Sequence, residues 1–320
     1  MCRIVIPALA ACLSSPQTSP SDSQPLFTYT DAELAANPTW IAYGDMRFTD
    51  PKETTDTNPT VRKSLVDRIA EERPDAVLLS GDVPWHGGDP GDYAQYRLET
   101  EPWRAAKIRV LPALGNQELN GNDPAAGLEN WWTAFPALRG RRWYSVRLGS
   151  RIAILNLDSN STLVPGSEQA RWIIAQMAVL PSSVKFVLFN MHHPPVADFQ
   201  TGADADHNAR PSEIALADLL KTSPPRSRIR FIVCAGHIHN YERFLRDRVT
   251  HLVSGGAGAK PRPIVRGEDD LFRDTSEVNY HYVKFVLRGN TINAEMVRLA
   301  DPTATTAKWE VKDHFQIIGL

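Results

Sequence analysis

Ile229-Arg230-Phe231-Ile232-Val233-Cys234-Ala235-Gly236-His237-Ile238-His239 is the stretch on which the reading of this chain turns. A short run rich in β-branched and aromatic residues, ended by glycine, has the composition of a buried strand. Here it delivers a pair of histidines at its carboxyl end. The same grammar recurs upstream. Trp40–Tyr43 ends at Gly44-Asp45, Ala76–Leu79 at Gly81-Asp82, and Ile108–Leu114 runs into Gly115-Asn116. Val184–Phe189 leads into Met191-His192-His193-Pro194-Pro195.

Each motif has a bland reading of its own. Gly-Asp after a strand makes a turn or caps a helix, two histidines spaced by one residue share a strand face through period two, and His192-His193 precede a proline turn. Taken together they converge. In open α/β sheets, ligands bind beyond the carboxyl ends of the strands. Neighbouring strands would therefore bring Asp45, Asp82, Asn116, His192, His237 and His239 to one cleft. Carboxylate, amide and imidazole donors suit Mn, Fe or Zn rather than thiolate-seeking ions.

Helical periodicity fills the gaps between these strands. Val61, Leu65, Val66 and Ile69 share a face over 59–72, and helices are expected over 93–106, 168–179 and 212–221. Trp143–Leu148 and Ile152–Leu157 form strands about a Gly149-Ser150 turn. Strands at 249–254, 280–287, 291–297 and 309–318 make the carboxyl-terminal part all-β. Alternating strands and helices argue for an α/β (α+β) architecture. No internal repeat is visible, and a single folded domain is expected over 36–320.

With 42% hydrophobic and 22% charged residues, the 320-residue chain has the composition of a soluble globular protein. Its formal net charge of -2 gives no reason to expect a nucleic-acid or membrane surface. Cys2, Cys12 and Cys234 allow no disulfide framework, and Cys234 reads as an inert buried thiol. Arg3, the apolar run Ile4–Ala11 and Leu9-Ala10-Ala11-Cys12 look like a short leader ending in a bacterial lipobox. That reading makes the chain an exported protein, periplasmic or anchored through lipid on Cys12. The alternative is an unstructured start on a cytoplasmic protein. Residues up to 35, rich in Ser and Pro, read as a flexible linker.

The ordered motifs Gly44-Asp45, Gly81-Asp82, Gly115-Asn116-Gln117-Glu118, His192 and Gly236-His237-Ile238-His239 resemble the calcineurin-like metallophosphoesterases over about 40–243. The continuation Asn240-Tyr241-Glu242-Arg243 is similar to the purple acid phosphatase branch. The resemblance implies a four-layer sandwich of two mixed β-sheets flanked by helices. It also implies two divalent or trivalent ions bridged by Asp82. Asp45 and His239 would complete the first site, and Asn116, His192 and His237 the second. A small-molecule phosphomonoester or phosphodiester would be hydrolysed by a metal-bridging hydroxide, without a covalent enzyme intermediate.

Two departures bear on that expectation. Arg47 stands where the family has a metal-binding histidine, and a guanidinium has no lone pair to offer. Trp85 stands at the position of the branch's tyrosine ligand and is no ligand either. Arg47 either grips substrate phosphate or makes a structural salt bridge, and Asp50 either fills the ligand gap or caps a turn. Gln117 replaces the histidine that contacts phosphate and protonates the leaving group; glutamine donates a hydrogen bond but does not titrate. Asp82, Asn116, Gln117 and Arg47 are the expected catalytic residues, with Arg47, Gln117 and His193 facing substrate. His193, His86 and His207 are candidates to replace the missing acid. A relative that binds metal or phosphate without efficient turnover is the alternative.

Overall fold

The computed structural model describes residues 24–274, 276 and 278–320, with only the backbone of Ala203 and Asp204. The leader and Cys12 lie outside the described residues. Among the described residues, no helix is long and apolar enough to cross a membrane.

Two mixed sheets face each other. One runs β13 (Trp309–Ile318), β12 (Thr291–Leu299), β11 (His281–Arg288), β2 (Thr39–Tyr43), β3 (Ala76–Leu79) and β4 (Arg109–Pro112). The other runs β1 (Phe27–Tyr29), β5 (Tyr144–Leu148), β6 (Ile152–Asn156), β7 (Phe186–Asn190), β8 (Arg230–Ala235), β10 (Val249–Ser254) and β9 (Tyr241–Arg246). The strands that deliver the candidate ligands are parallel neighbours in their sheets: β2, β3 and β4 in one, β7 and β8 in the other.

Between the sheets lies an apolar layer that includes Trp40, Leu78, Leu188, Ile232 and Phe285. Trp40 and Phe285 stack within it at 5.3 Å. On the outer face of the six-stranded sheet, α1 (Pro59–Glu72), α2 (Pro90–Glu99) and α3 (Glu101–Ala105) bury Leu65, Ile69, Tyr96 and Trp103. The outer face of the seven-stranded sheet is covered by α6 (Glu168–Ala178) and α7 (Pro211–Thr222), through Ile173, Met177, Leu216 and Leu220. This is the four-layer arrangement expected from the sequence. The strands read as unbroken apolar runs because each sheet buries both faces, while the covering helices keep a single apolar stripe.

The expected linker does not extend to residue 35. Phe27–Tyr29 pairs in parallel with β5, so folded structure begins well before residue 36. The helix expected over 93–106 is two helices. Pro102 lacks an N–H and sits in the first turn of α3, and Thr100 Oγ1 donates to the Tyr96 carbonyl at 2.6 Å between them. Two further helices, α4 (Asn116–Leu119) and α5 (Pro124–Ala134), were not expected from the sequence. Trp131 is fully buried, whereas Trp132 packs at the edge of the core. Cys234 is buried, and burial pushes its thiol up to about 12, which fits an inert role.

The two sheets are also tied by polar groups beneath the strand ends. Asn190 donates from Nδ2 to the carbonyls of Leu79 and Leu111 and to Asn156 Oδ1, and it accepts from Ser80 Oγ at 2.8 Å. Because every one of these groups is buried, the network fixes the relative position of the two strand ends.

Candidate metal centre

The structure gathers the six expected ligands in one place. Asp45, Asp82, His192 and His239 are almost wholly buried. Asp45, Asp82 and His192 bring one ligand atom each within 4.8 Å of one another, as do His192, His193 and His237.

The tautomers follow from the hydrogen bonds. His192 Nδ1 lies 2.8 Å from the Ser80 carbonyl and His239 Nδ1 lies 2.8 Å from the Lys260 carbonyl. A carbonyl only accepts, so both Nδ1 atoms carry a proton, and in the neutral rings that bind metal both Nε2 atoms present a lone pair. The His237 Nε2 faces the Asp206 carbonyl at 3.5 Å, which leaves Nδ1 for the cleft.

Around His192 Nε2 the contacts are then acceptor against acceptor. Asn116 Oδ1 stands at 2.8 Å, His237 Nδ1 at 3.2 Å and Asp82 Oδ1 at 3.3 Å. A second group forms where His239 Nε2 approaches Asp45 Oδ1 at 3.5 Å. Asp45 Oδ1 and Asp82 Oδ2 are buried without any hydrogen-bond donor. Lone pairs pressed together in a dry site cost free energy unless a cation lies among them. The donor set therefore fits metal ions, with Asp82 Oδ1 in the first group and its Oδ2 left without a donor.

Burial raises the Asp45 carboxyl to about 7, opposed by His192 and reinforced by Asp82. It lowers His239 to about 3, with the Arg47 charge adding to the effect, and holds His237 well below its ordinary value. Neutral imidazoles are the form that binds metal.

The backbone is bent to make this cluster. Asp45 (φ 66°), Asp82 (φ 55°) and His237 (φ 72°) all adopt left-handed conformations, which side-chain-bearing residues avoid. Glycine beside them is a matter of space. A Cβ on Gly115 would fall 2.3 Å from Asp82 Oδ1, and one on Gly236 would fall 2.6 Å from Asp45 Oδ2.

Glu118 was not singled out from the sequence, yet it holds the centre together. Its buried carboxylate accepts from the N–H groups of Asp82 (3.0 Å), Val83 (2.8 Å) and Gly115 (2.7 Å). It thus clamps the β3 exit to α4, the helix that carries Asn116 and Gln117. The Gln117 N–H donates to Asp82 Oδ1 at 2.9 Å, and its side chain is nearly buried.

Arg47 stacks on Trp85 at 4.2 Å, and its Nη2 stands 3.7 Å from Asp82 Oδ2. Asp50 caps the turn at Lys52 and is exposed, away from the ligand groups. His86 is exposed and paired with Asp92. His193 is buried with Nδ1 on Ser159 Oγ at 2.8 Å and its ring 4.4 Å from His237. His207 is buried and stacks on His237 at 4.9 Å. Asp89 caps α2 and Asp123 caps α5. Tyr241 and Arg243 are structural. Both bond Asp313, tying β9 to β13 across the two sheets.

Calcineurin-like phosphoesterases match the chain over residues 55–255. No curated protein sequence matches it. Among solved structures, the purple acid phosphatase PPD1 of yellow lupin seeds superposes with TM-score 0.70 at 18% identity. That match covers 91% of this chain and 55% of the lupin protein, so the chain spans about half of the lupin protein's length. GAP50 of Plasmodium, the anchor in its inner membrane complex, gives 0.60 at 13% identity over 87% of this chain and 90% of its own. A dimetal phosphatase from Danio rerio gives 0.55 at 14% identity over 91% and 100%. At these identities the likeness is one of fold.

Proposed function

Since this chain belongs to the calcineurin-like phosphoesterase family, we propose that it is a metal-dependent hydrolase of small phosphomonoesters or phosphodiesters. The observation that carries this reading is the crowding of acceptor atoms about His192 Nε2, with the orphaned oxygens of Asp45 and Asp82 beside it. In this reading Asp82 serves both groups, Asp45 and His239 form one half of the centre, and Asn116, His192 and His237 the other. The nitrogen and oxygen donors suit Mn, Fe or Zn. Such ions, when bound, lower the pKa of water and offset charge on phosphoryl oxygens.

The chain's own residues then orient the ester. Arg47 presents a guanidinium, held over the Trp85 ring, to the phosphate oxygens. Gln117 and His193 line the same cleft as candidate donors to the substrate. The Ser80 and Lys260 carbonyls hold the His192 and His239 rings in their ligating tautomers.

A second reading has an observation of its own. Gln117 cannot supply a proton, so a protein that binds metal or phosphate with little turnover would carry the same cleft. Activated esters separate the two readings, because p-nitrophenolate leaves without protonation. The metal-loaded chain should hydrolyse p-nitrophenyl phosphate or its bis-ester, and Asp82→Asn should abolish this. No turnover of either ester, or turnover unaffected by Asp82→Asn, overturns the hydrolase reading.

A further inference from the structure

The two halves of the cleft are not built alike. Around His192 Nε2 the protein converges donors from Asp82, Asn116, His192 and His237. On the other side it offers Asp45 Oδ1, Asp82 Oδ2 and His239 Nε2. Each half also has one carboxylate oxygen that accepts a backbone N–H: Asp45 Oδ2 from His237 at 2.8 Å and Asp82 Oδ1 from Gln117 at 2.9 Å. The side chains that complete the Asp45–His239 side are Arg47 and Trp85, and neither has a lone pair to give.

Arg47 is also fixed where it stands. Its N–H donates to the Asp82 carbonyl at 3.0 Å, and its own carbonyl accepts from Arg62 Nη1 at 2.9 Å. Arg62 is in turn locked by two hydrogen bonds to Glu99. The side chain stacks on Trp85 with Nη2 3.7 Å from the orphaned Asp82 Oδ2. One unit of positive charge thus stands beside the Asp82 oxygen on the half that already has fewer donors.

We propose that the centre binds its ions with unequal strength: one is retained by Asp82, Asn116, His192 and His237, while Arg47 leaves the Asp45–His239 half as a weak, exchangeable site in which the guanidinium itself supplies positive charge. This rests on the reading of the cleft as a metal centre given above. A unit charge about 4 Å away, at an effective dielectric near 20, shifts affinity by roughly a hundredfold or more.

The test is metal counting, independent of turnover. The purified full chain is dialysed against metal-free buffer, analysed for elements, and then titrated with Mn²⁺ by calorimetry. About one ion per chain should be retained, and a second should enter at least ~100-fold more weakly. Arg47→His supplies a ligand and removes the charge, so it should bring the two affinities to within about tenfold and raise the retained content towards two. Arg47→Ala removes the charge alone and should narrow the gap by a smaller factor, which keeps the test intact if one variant fails to fold. Two ions of matched affinity in the unmodified chain, or a gap unchanged in the folded variants, would overturn the proposal and leave the metal centre standing. A chain that neither retains nor takes up any ion overturns both.

Discussion

Glu118→Ala should be among the most damaging substitutions in the protein, although Glu118 is neither a ligand nor exposed to substrate. The side chain is fully buried and accepts three backbone N–H groups, those of Asp82, Val83 and Gly115. Truncation leaves these donors in a dry interior. At about 1–3 kcal/mol for each unsatisfied buried donor, the loss is roughly 3–6 kcal/mol after partial relaxation. That is a large part of the roughly 5–15 kcal/mol by which folded proteins exceed their unfolded chains. Glu118→Gln can keep an oxygen at the Oε2 position, which serves Asp82 and Gly115, and loses the Val83 bond at Oε1. Its cost should be about 1–3 kcal/mol. Equilibrium urea unfolding of the three proteins gives these differences directly. If Glu118→Ala unfolds within ~1 kcal/mol of the unmodified chain, the carboxylate does not hold the β3 exit to α4 as described.

Other expectations follow from the same contacts. Asn190→Ala removes the bonds to Leu79 and Leu111 in the facing sheet and to Asn156 in its own, and should cost about 2–4 kcal/mol in the same assay; an unchanged unfolding midpoint contradicts this. Gln117→His returns a titratable group beside Asp82, so turnover of alkyl phosphates should rise at least ~10-fold while that of p-nitrophenyl phosphate changes little. Equal effects on both esters would show that leaving-group protonation is not the missing step. Burial raises Asp198 to about 6, so its protonated form is favoured by the fold. Its contribution to stability is complete below about pH 4 and is lost as pH rises through about 6. Asp198→Asn should flatten the fall in unfolding midpoint across that window, and an identical slope in both proteins would remove Asp198 as its source.

Much of the centre was legible because its ligands follow strands whose buried composition is unambiguous. Asp45, Asp82, Asn116, His192, His237 and His239 each lie just past an apolar run that ends in glycine or a polar residue, and the parallel order of the strands brings them together. What escaped depends on partners far along the chain. β1 is three residues in a Ser/Pro-rich segment and becomes a strand only by pairing with β5. β9 meets β10 through the two-residue turn Asp247-Arg248, with φ of 50° and 67°, and a turn that favours Asn-Gly gives no signal when written Asp-Arg. The split at Pro102 and the Asp123-Pro124 start of α5 were signalled locally, by a proline at a helix start and by a capping residue before one. The role of Glu118 was invisible for another reason. A carboxylate three residues after Gly115 reads equally as ligand, cap or solvent-facing charge, and only the fold shows it buried under three N–H groups.

The central claim is that these side chains form a metal centre that works on phosphate esters. Its most direct test is p-nitrophenyl phosphate hydrolysis by the chain stripped with a chelator and then resupplied with Mn²⁺, Zn²⁺ or Fe²⁺. Activity should vanish on stripping, return with at least one of these ions, and fail to return in Asp82→Asn. Hydrolysis that survives complete removal of metal, or that no ion restores in folded protein, would contradict the account.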